Sequence, residues 1–399
     1  MMRMISVNEA KHSIIANSAL LPAERKELSA AVNYILAEDI SAPISLPSFR
    51  QSSMDGYALH HEDIFSANNA LHISSEAKAG ESKVQFVERG SAIRIFTGAP
   101  VPQGASAVVM QEHTVREGDK ILISEFPVAE GKNIRHIGQQ IKCGDIALSA
   151  GTLLSAGGVG FLAGLNVGHA MVYRKPRVGI LITGDELVVA GGEIGHGQIY
   201  ESNSLMLQAA LSREGIHEIS VLQANDNLEA TKEALASLYQ ENDVILTSGG
   251  ISVGDYDFVG AALRELSVET IFYKVKQKPG KPLLFGKKEQ KLFFALPGNP
   301  ASSLVCYYEY VLPAIRAISG WKDCFLKSVK LPIAKGYSFT GERDEFLKAL
   351  MTENGVVPLD GQESFALRSF ALADAIIYLP ATQNDVKEGD LVEVHLIPR

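Results

Sequence analysis

VGILITGDEL, Val178 to Leu187, is an unbroken apolar run that ends at Ile182 and passes at once into Thr183-Gly-Asp-Glu-Leu187. A strand that is apolar throughout, rather than at alternate positions, is buried on both faces, as in a parallel sheet covered by helices. Working forward, apolar runs and amphipathic segments alternate. The pattern predicts strands over Glu218–Gln223, Val244–Thr247, Thr270–Val275, Leu283–Phe285 and Leu292–Leu296. It predicts helices near Ser204–Arg213 (closed by Gly215), Leu228–Gln240, Phe258–Leu266 and Ala301–Ile318. Residues 176–326 therefore read as a doubly wound α/β domain.

On the C-terminal side, residues 327–399 carry short strands (Asp344–Met351, Ala375–Leu379, Leu391–Leu396) among Gly and Asp turns, the pattern of a small β-barrel-like domain. On the N-terminal side the character changes twice. Residues 44–143 read as a mostly β insertion, with runs at Leu71–Ser74, Ala92–Phe96 and Lys120–Ser124. Residues 1–43 and 144–175 read as a discontinuous N-terminal or linker domain. Its helical spacing runs from Ser6 to about Glu38 around Pro22, and resumes in the apolar, Gly-rich Ser155–Leu165. Ser6-Val-Asn-Glu9 has the form of a capping box.

The 399 residues suffice for several domains, and their 46% hydrophobic content includes no run long enough to span a bilayer. A formal charge of −9 provides no overall attraction for nucleic acid or for an anionic membrane. Met1 to Glu9 does not read as a secretory signal, and Cys143, Cys306 and Cys324 lack the spacing of a disulfide framework or zinc site. The expectation is a cytoplasmic protein.

In open α/β sheets, ligands bind outside the carboxyl ends of the strands, so the chemistry is sought there. Three specialised loops follow buried strands: Thr183–Leu187, TSGGISVG at Thr247–Gly254, and Pro297-Gly-Asn-Pro300. Ser248, Gly249, Gly250 and Ser252 are small enough for backbone N–H groups to approach phosphate oxygens; an ordinary flexible turn is the plainer alternative for any one loop. Asp185, Glu186, Asp226, Asp255 and Asp257 place hard oxygen ligands near the same edge, the donor type that Mg²⁺ takes beside a phosphate. Asp226 also has a structural reading, because Asp226-Asn-Leu-Glu229 resembles a capping box. Alternation along Phe272–Lys278 puts Lys274, Lys276 and Lys278 on one strand face beside the stiff Lys278-Pro-Gly-Lys281 turn. Such a face is either a solvated charged surface or, in an acidic protein, an anion site.

Beyond these loops the chain carries SMDGYA at Ser53–Ala58, IRIFTGAPVPQGASAVV at Ile93–Val109 and NIRHIGQQ at Asn133–Gln140. With TGDEL, SGGISVGDYD, KPGKP and LPGNP, they stand in the order found in the MoeA-type molybdopterin molybdenumtransferases, the family that includes the gephyrin E domain. The chain resembles that family over nearly its whole length. The resemblance implies a four-domain subunit with a MogA-like molybdopterin-binding α/β domain. It implies a homodimer with its site between the α/β domain of one subunit and the β insertion and C-terminal domain of the other. It also implies a Mg²⁺-dependent transfer of molybdenum from molybdate to adenylylated molybdopterin with release of AMP. A MogA-type adenylyltransferase and molybdoenzyme apoproteins are the partners it suggests. By position, Asp55, Thr97, Arg135, Glu186, Asp226, Asp257, Lys274 and Lys278 match residues lining the family's active site. Asp185, Glu186 and Asp257 are the expected metal or water-positioning carboxylates. Ser248, Gly249, Gly250, Ser252, Lys281, Pro297, Gly298, Asn299, Pro300, Arg343 and Ser369 are the expected substrate contacts.

Two adjacent positions depart from the family. Gln139 and Gln140 stand where an acidic pair is usual, and an amide keeps hydrogen bonds without supplying negative charge or a base. The plainer explanation is that this carboxylate is dispensable or replaced nearby, as by Asp55; a non-catalytic binding or scaffold protein of the same fold is the competing expectation, and an unrelated phosphate-ester hydrolase on the same sheet is a third.

Overall fold

The computed structural model describes residues 3–65, 70–124, 126–251 and 258–398. Ser252, Asp255 and Asp257 lie outside the described residues. The chain forms two compact units, one of residues 1–25, 33–37 and 171–399, the other of residues 26–32 and 38–170.

The larger unit is built on a six-stranded sheet in the order Ile219–Ala224, Val178–Thr183, Val244–Ser248, Lys291–Leu296, Leu284–Lys288, Glu269–Tyr273. The first four strands are parallel, and their carboxyl ends share one edge. The last two pair antiparallel, so the sheet is mixed rather than parallel throughout. Lys288 and Lys291 are joined by a tight turn at Glu289 (φ 55°), which leaves no room for a crossover helix. The unbroken apolar runs follow from burial on both faces. Ile180 and Ile182 enter one core with Leu207, Leu211 and Tyr307, while Leu181 between them enters a second with Leu235, Leu238 and Val259. Phe294 and Phe293 divide between the same two cores.

Helices start where the local chemistry provides for them. Ser6 and Glu9 form the reciprocal capping box of helix Val7–Asn17. The second predicted N-terminal helical segment is absent: Ala23–Glu27 is a strand whose exposure alternates at period two. Within the expected stretch from Pro22 to about Glu38 only Leu28–Ala30 forms a 3₁₀ turn, and such short pieces are too brief for helical spacing to discriminate. The helix after Pro297–Pro300 begins with Pro300 in its first turn and continues to Ile318 through a π-helical turn at Tyr307–Val311. The C-terminal sheet orders Gln277–Lys278, Asp344–Thr352, Ala375–Leu379, Leu391–Leu396 and Ser328–Pro332. The Lys278-Pro-Gly-Lys281 turn is thereby bound to it through parallel pairing of Gln277 with Asp344 and Lys278 with Glu345.

The smaller unit has a six-stranded sheet in the order Ala105–Met110, Gly56–His60, Ser91–Ile95, Leu71–Ala77, Lys120–Ile123, Thr114–Glu117. Gly56 is required where two strands meet, since a Cβ there would lie 1.9 Å from the Val109 carbonyl oxygen.

Candidate active site

At the carboxyl edge of the parallel strands the loops interlock. A Cβ on Gly249 would fall 2.5 Å from the Thr183 carbonyl oxygen, and one on Gly250 2.9 Å from Thr183 Oγ1, so glycine lets this loop lie on the end of its neighbouring strand. Both glycines have positive φ, 95° and 61°. The Pro297–Pro300 loop reaches the same place, with a Cβ on Gly298 3.6 Å from Gly249 Cα. Asn203 joins the two loops: its Nδ2 donates to Ser248 Oγ and to the Gly298 carbonyl, each at 2.7 Å. Thr183 Oγ1, Thr247 Oγ1 and Asn203 Oδ1 are buried without a hydrogen-bond partner among the described residues. Buried polar atoms without partners are uncommon in folded proteins and concentrate attention on a ligand edge.

The carboxylates lie beside this cradle. The helix Leu228–Glu241 is capped by Asn227, whose Oδ1 accepts from Ala230 N, and not by Asp226. This corrects the capping-box reading of Asp226, because the chain turns one residue later. The Asp226 carboxyl is left for other use, while its backbone N–H donates to Asp185 Oδ1 at 3.1 Å. Burial, then the charges of Asp185 and Glu186, hold the Asp226 carboxyl above the usual carboxylate range. Among the described residues no group of three or more His, Cys, Asp or Glu side chains is arranged to hold a metal ion by itself.

The lysines are divided by their surroundings. Val275 and Gln277 are buried while Lys276 and Lys278 are exposed, as the alternation predicts, but Lys274 departs from strand geometry at φ 72°. Its ammonium lies 4.7 Å from the Tyr273 ring centroid. Lys278 Nζ donates to Glu345 Oε1 at 3.0 Å, and Tyr337 donates to the other oxygen of that buried carboxylate at 2.7 Å. Buried Gln277 fixes the turn from within, donating to the carbonyls of Pro279 and Gly280 and accepting from Tyr310. Lys281 and Arg343 are exposed. Ser369 is buried and donates to the carbonyls of Gly361 and Ala366, so its hydroxyl is held by its own loop.

In the smaller unit, Asp55 Oδ1 accepts from both the backbone N–H and the hydroxyl of Thr97, each at 2.8 Å. Those two bonds, with a smaller contribution from Arg94, lower its carboxyl below the ordinary value. Arg94 donates to the Gly56 carbonyl and lies over the rings of Tyr57 and Phe96. Arg135 is paired opposite Gln51 and lines a depression with Leu46, Pro47, Gln51, Gln139 and Gln140. The altered amides thus share a surface with the candidate arginine.

The candidate residues fall into these two groups, one per unit. Sequence reasoning had passed over Asn203, Arg94 and Ser364, whose hydroxyl accepts from Asn299 Nδ2 at 2.8 Å beside the Pro297–Pro300 loop. Asn203 stood at a helix start, where a polar residue is read as a cap; its spacing carried no sign of the two loops it joins.

Comparison with known proteins agrees along the whole chain. Residues 5–166 match the profile of the MoeA N-terminal region (domain I and II), residues 179–317 that of a probable molybdopterin binding domain, and residues 330–397 that of the MoeA C-terminal region (domain IV). The chain is 33% identical to a molybdopterin molybdenumtransferase of Haemophilus influenzae over 98% of each chain. It is 32% identical to one from Staphylococcus epidermidis over 98% of this chain and 95% of that one. Among solved structures, a molybdopterin biosynthesis MoeA protein of Pyrococcus horikoshii superposes with a TM-score of 0.85 at 30% identity, covering 99% of this chain and 100% of the other. Motif order, fold and whole-length similarity together establish that the chain belongs to the MoeA family.

Proposed function

We propose that this protein is a transferase of molybdenum cofactor biosynthesis, which inserts molybdenum from molybdate into adenylylated molybdopterin and releases AMP. The observation that carries this reading is the carboxyl edge of the parallel sheet. There Asp185, Glu186 and Asp226 crowd negative charge beside the glycine cradle of Ser248–Gly250. Such an arrangement favours a ligand that brings a cation with its phosphates. Mg²⁺ commonly takes one or two carboxylates and completes its shell with substrate phosphate and water, so the donor set fits a site closed by substrate. Asp185 and Glu186, with Asp257, are the residues that would hold it. When bound, the ion neutralises and polarises the phosphoanhydride.

The chain's own groups are assigned as follows. Backbone N–H groups of Gly249 and Gly250, with Ser248 and Ser252, bind phosphate; Pro297–Pro300 closes the adjoining wall. Lys274, Lys278, Lys281 and Arg343 attract the oxyanion, with Lys278 moderated by its bond to Glu345. Asp55 with Thr97, and Arg135, are assigned as the smaller unit's contribution to catalysis, and Ser369 as support for the substrate-contacting loops. No protein nucleophile is assigned. Buried Cys306 has its thiol pushed far above its ordinary value by desolvation, which disfavours the reactive thiolate. A homodimer in the cytoplasm completes the proposal. Among the described residues no helix is long and apolar enough to cross a membrane.

The test is AMP release from adenylylated molybdopterin with Mg²⁺, with and without molybdate, for the native chain and for Glu186→Ala. Molybdate-dependent release that Glu186→Ala abolishes is the expected result; no release from the native chain refutes the transferase. The amides lining the Arg135 depression favour the second reading, a non-catalytic binding or scaffold protein. That reading requires binding without turnover and recovery of turnover in Gln140→Asp.

A further inference from the structure

Lys348 lies in the strand Asp344–Thr352 and is 1% exposed. A buried ammonium must have all three of its N–H donors satisfied. Here they go to three backbone carbonyls of a single loop: Gly361 at 2.6 Å, Ala366 at 3.0 Å and Glu363 at 3.2 Å. A neutral amine has only two donors, so the charged form is the one that fits. The loop is also tied to the backbone of the same residue. Gln362 Oε1 accepts from Lys348 N, Gln362 Nε2 donates to Lys348 O, and Leu359 N donates to that carbonyl as well. The chain from Leu359 to Ala366 is therefore folded around one side chain.

This loop reaches the Pro297–Pro300 loop. Asn299 Nδ2 donates to Ser364 Oγ at 2.8 Å, and the backbone N–H of Ser302, in the first turn of the following helix, donates to the Ser364 carbonyl at 3.2 Å. Asn299 is adjacent to Gly298, whose carbonyl Asn203 ties to the glycine cradle. A path of hydrogen bonds joined by adjacent residues thus runs from Lys348 through the Glu363–Ser364 and Gly298–Asn299 peptides to the wall of the candidate site.

We infer that Lys348 is a positioning residue, which sets the Pro297–Pro300 wall through the Gly361–Ala366 loop and so controls binding of the pterin nucleotide. The inference rests on the function proposed above for that site. A wall displaced by about 1 Å is enough to cost roughly 10²-fold in a well-positioned site, so an indirect effect of this size is measurable.

The test is titration calorimetry of the full chain with adenylylated molybdopterin, together with molybdate-dependent AMP release. Lys348→Met removes the donors at similar length; the expected result is a Kd raised by about tenfold or more, at a temperature where the variant remains folded. In a Ser364→Ala background, which removes the bond to Asn299 and leaves only the Ser302 backbone bond to the Ser364 carbonyl, the same substitution should raise Kd by a clearly smaller factor than in the native chain. Equal effects in both backgrounds, or an unchanged Kd, overturn the inference. Should Lys348→Met not fold, Gln362→Ala, which frees the same loop from its other side, takes its place in the comparison. Native chain that binds without turnover overturns the transferase alone; native binding and turnover with an indifferent Lys348→Met overturn the positioning role alone; no binding by the native chain overturns both.

Discussion

Glu309 offers the clearest quantitative test of how the larger unit is held together. It lies in the π-helical turn Tyr307–Val311 with its side chain 2% exposed. Its two oxygens are both engaged, one by Lys11 Nζ at 2.6 Å and the other by His395 Nδ1 at 2.7 Å. Burial opposes its charge, but Lys11 and His395 together outweigh burial and hold its carboxyl down at about 2, against an ordinary 4.5. That difference amounts to roughly 3 kcal/mol of folding stability. Because the folded value is depressed, the contribution is complete above pH 4.5 and is lost as pH falls through about 2. His395 contributes with the opposite sign: Glu309 raises its value above 6.5, so its share is complete below pH 6.5 and is lost as pH rises through the folded value.

The perturbation is Glu309→Gln, which preserves shape while removing the charge and replacing one of the two acceptor oxygens with an amide donor. Breaking a buried ion pair from one side typically costs about 3–5 kcal/mol, the same order of magnitude as the carboxyl's depression implies. At roughly 2–4 °C per kcal/mol for a unit of this size, the melting temperature at pH 7 should fall by about 6–12 °C. Glu393→Gln is the control, since Glu393 bonds the other nitrogen of the same histidine but its side chain is 43% exposed. An exposed pair contributes at most about 1 kcal/mol, so that variant should melt within about 2–4 °C of the native chain. Circular dichroism melts decide the matter. A Glu309→Gln midpoint within 2 °C of native, or equal losses in the two variants, would refute the assignment of this stability to burial of the triad.

Three further outcomes are expected. Gly249→Ala places a methyl 2.5 Å from the Thr183 carbonyl at a φ of 95°, which costs roughly 1–2 kcal/mol in backbone strain. It should also reduce kcat/KM by about 10²-fold through displacement of the cradle, and kinetics within threefold of native would contradict the cradle. Asp226→Asn should lower activity and yet raise the melting temperature at pH 7, because the folded state strains against the ionised carboxyl. The gain should vanish below the ordinary value of 3.8, where both states are protonated, so a stability loss at pH 7 would count against the carboxylate cluster. In an active transferase, Gln140→Asp adds a negative charge to the depression it shares with Arg135. If Arg135 acts on the oxyanion, about 1 kcal/mol of added repulsion raises the KM for molybdate roughly fivefold and makes it more sensitive to salt; an unchanged KM would confine Arg135 to a role other than molybdate attraction.

What the amino-acid sequence determined by itself is what a local pattern sets without a competing reading. The buried strands Val178–Thr183, Val244–Ser248 and Lys291–Leu296 are legible because a run facing two cores is apolar on both faces over most of its length. The capping box at Ser6 and Glu9 spans a single helical turn, and the specialised loops are contiguous strings, so neither needs knowledge of distant chain. Three matters were decided only in tertiary structure. Leu284–Lys288 is apolar at its start whether it runs parallel or antiparallel, and only pairing with Lys291–Leu296 sets its direction. Whether Asp226 or Asn227 caps its helix depends on one residue of turn geometry, which similar side chains do not distinguish. Lys11 and His395 meet Glu309 across 298 and 86 residues of chain, and Lys348 meets a loop folded back on its own strand. Such pairings carry no sequence period, because a charged side chain reads as solvent-facing until its burial and its partners are known, and both are properties of packing between segments rather than of any segment alone.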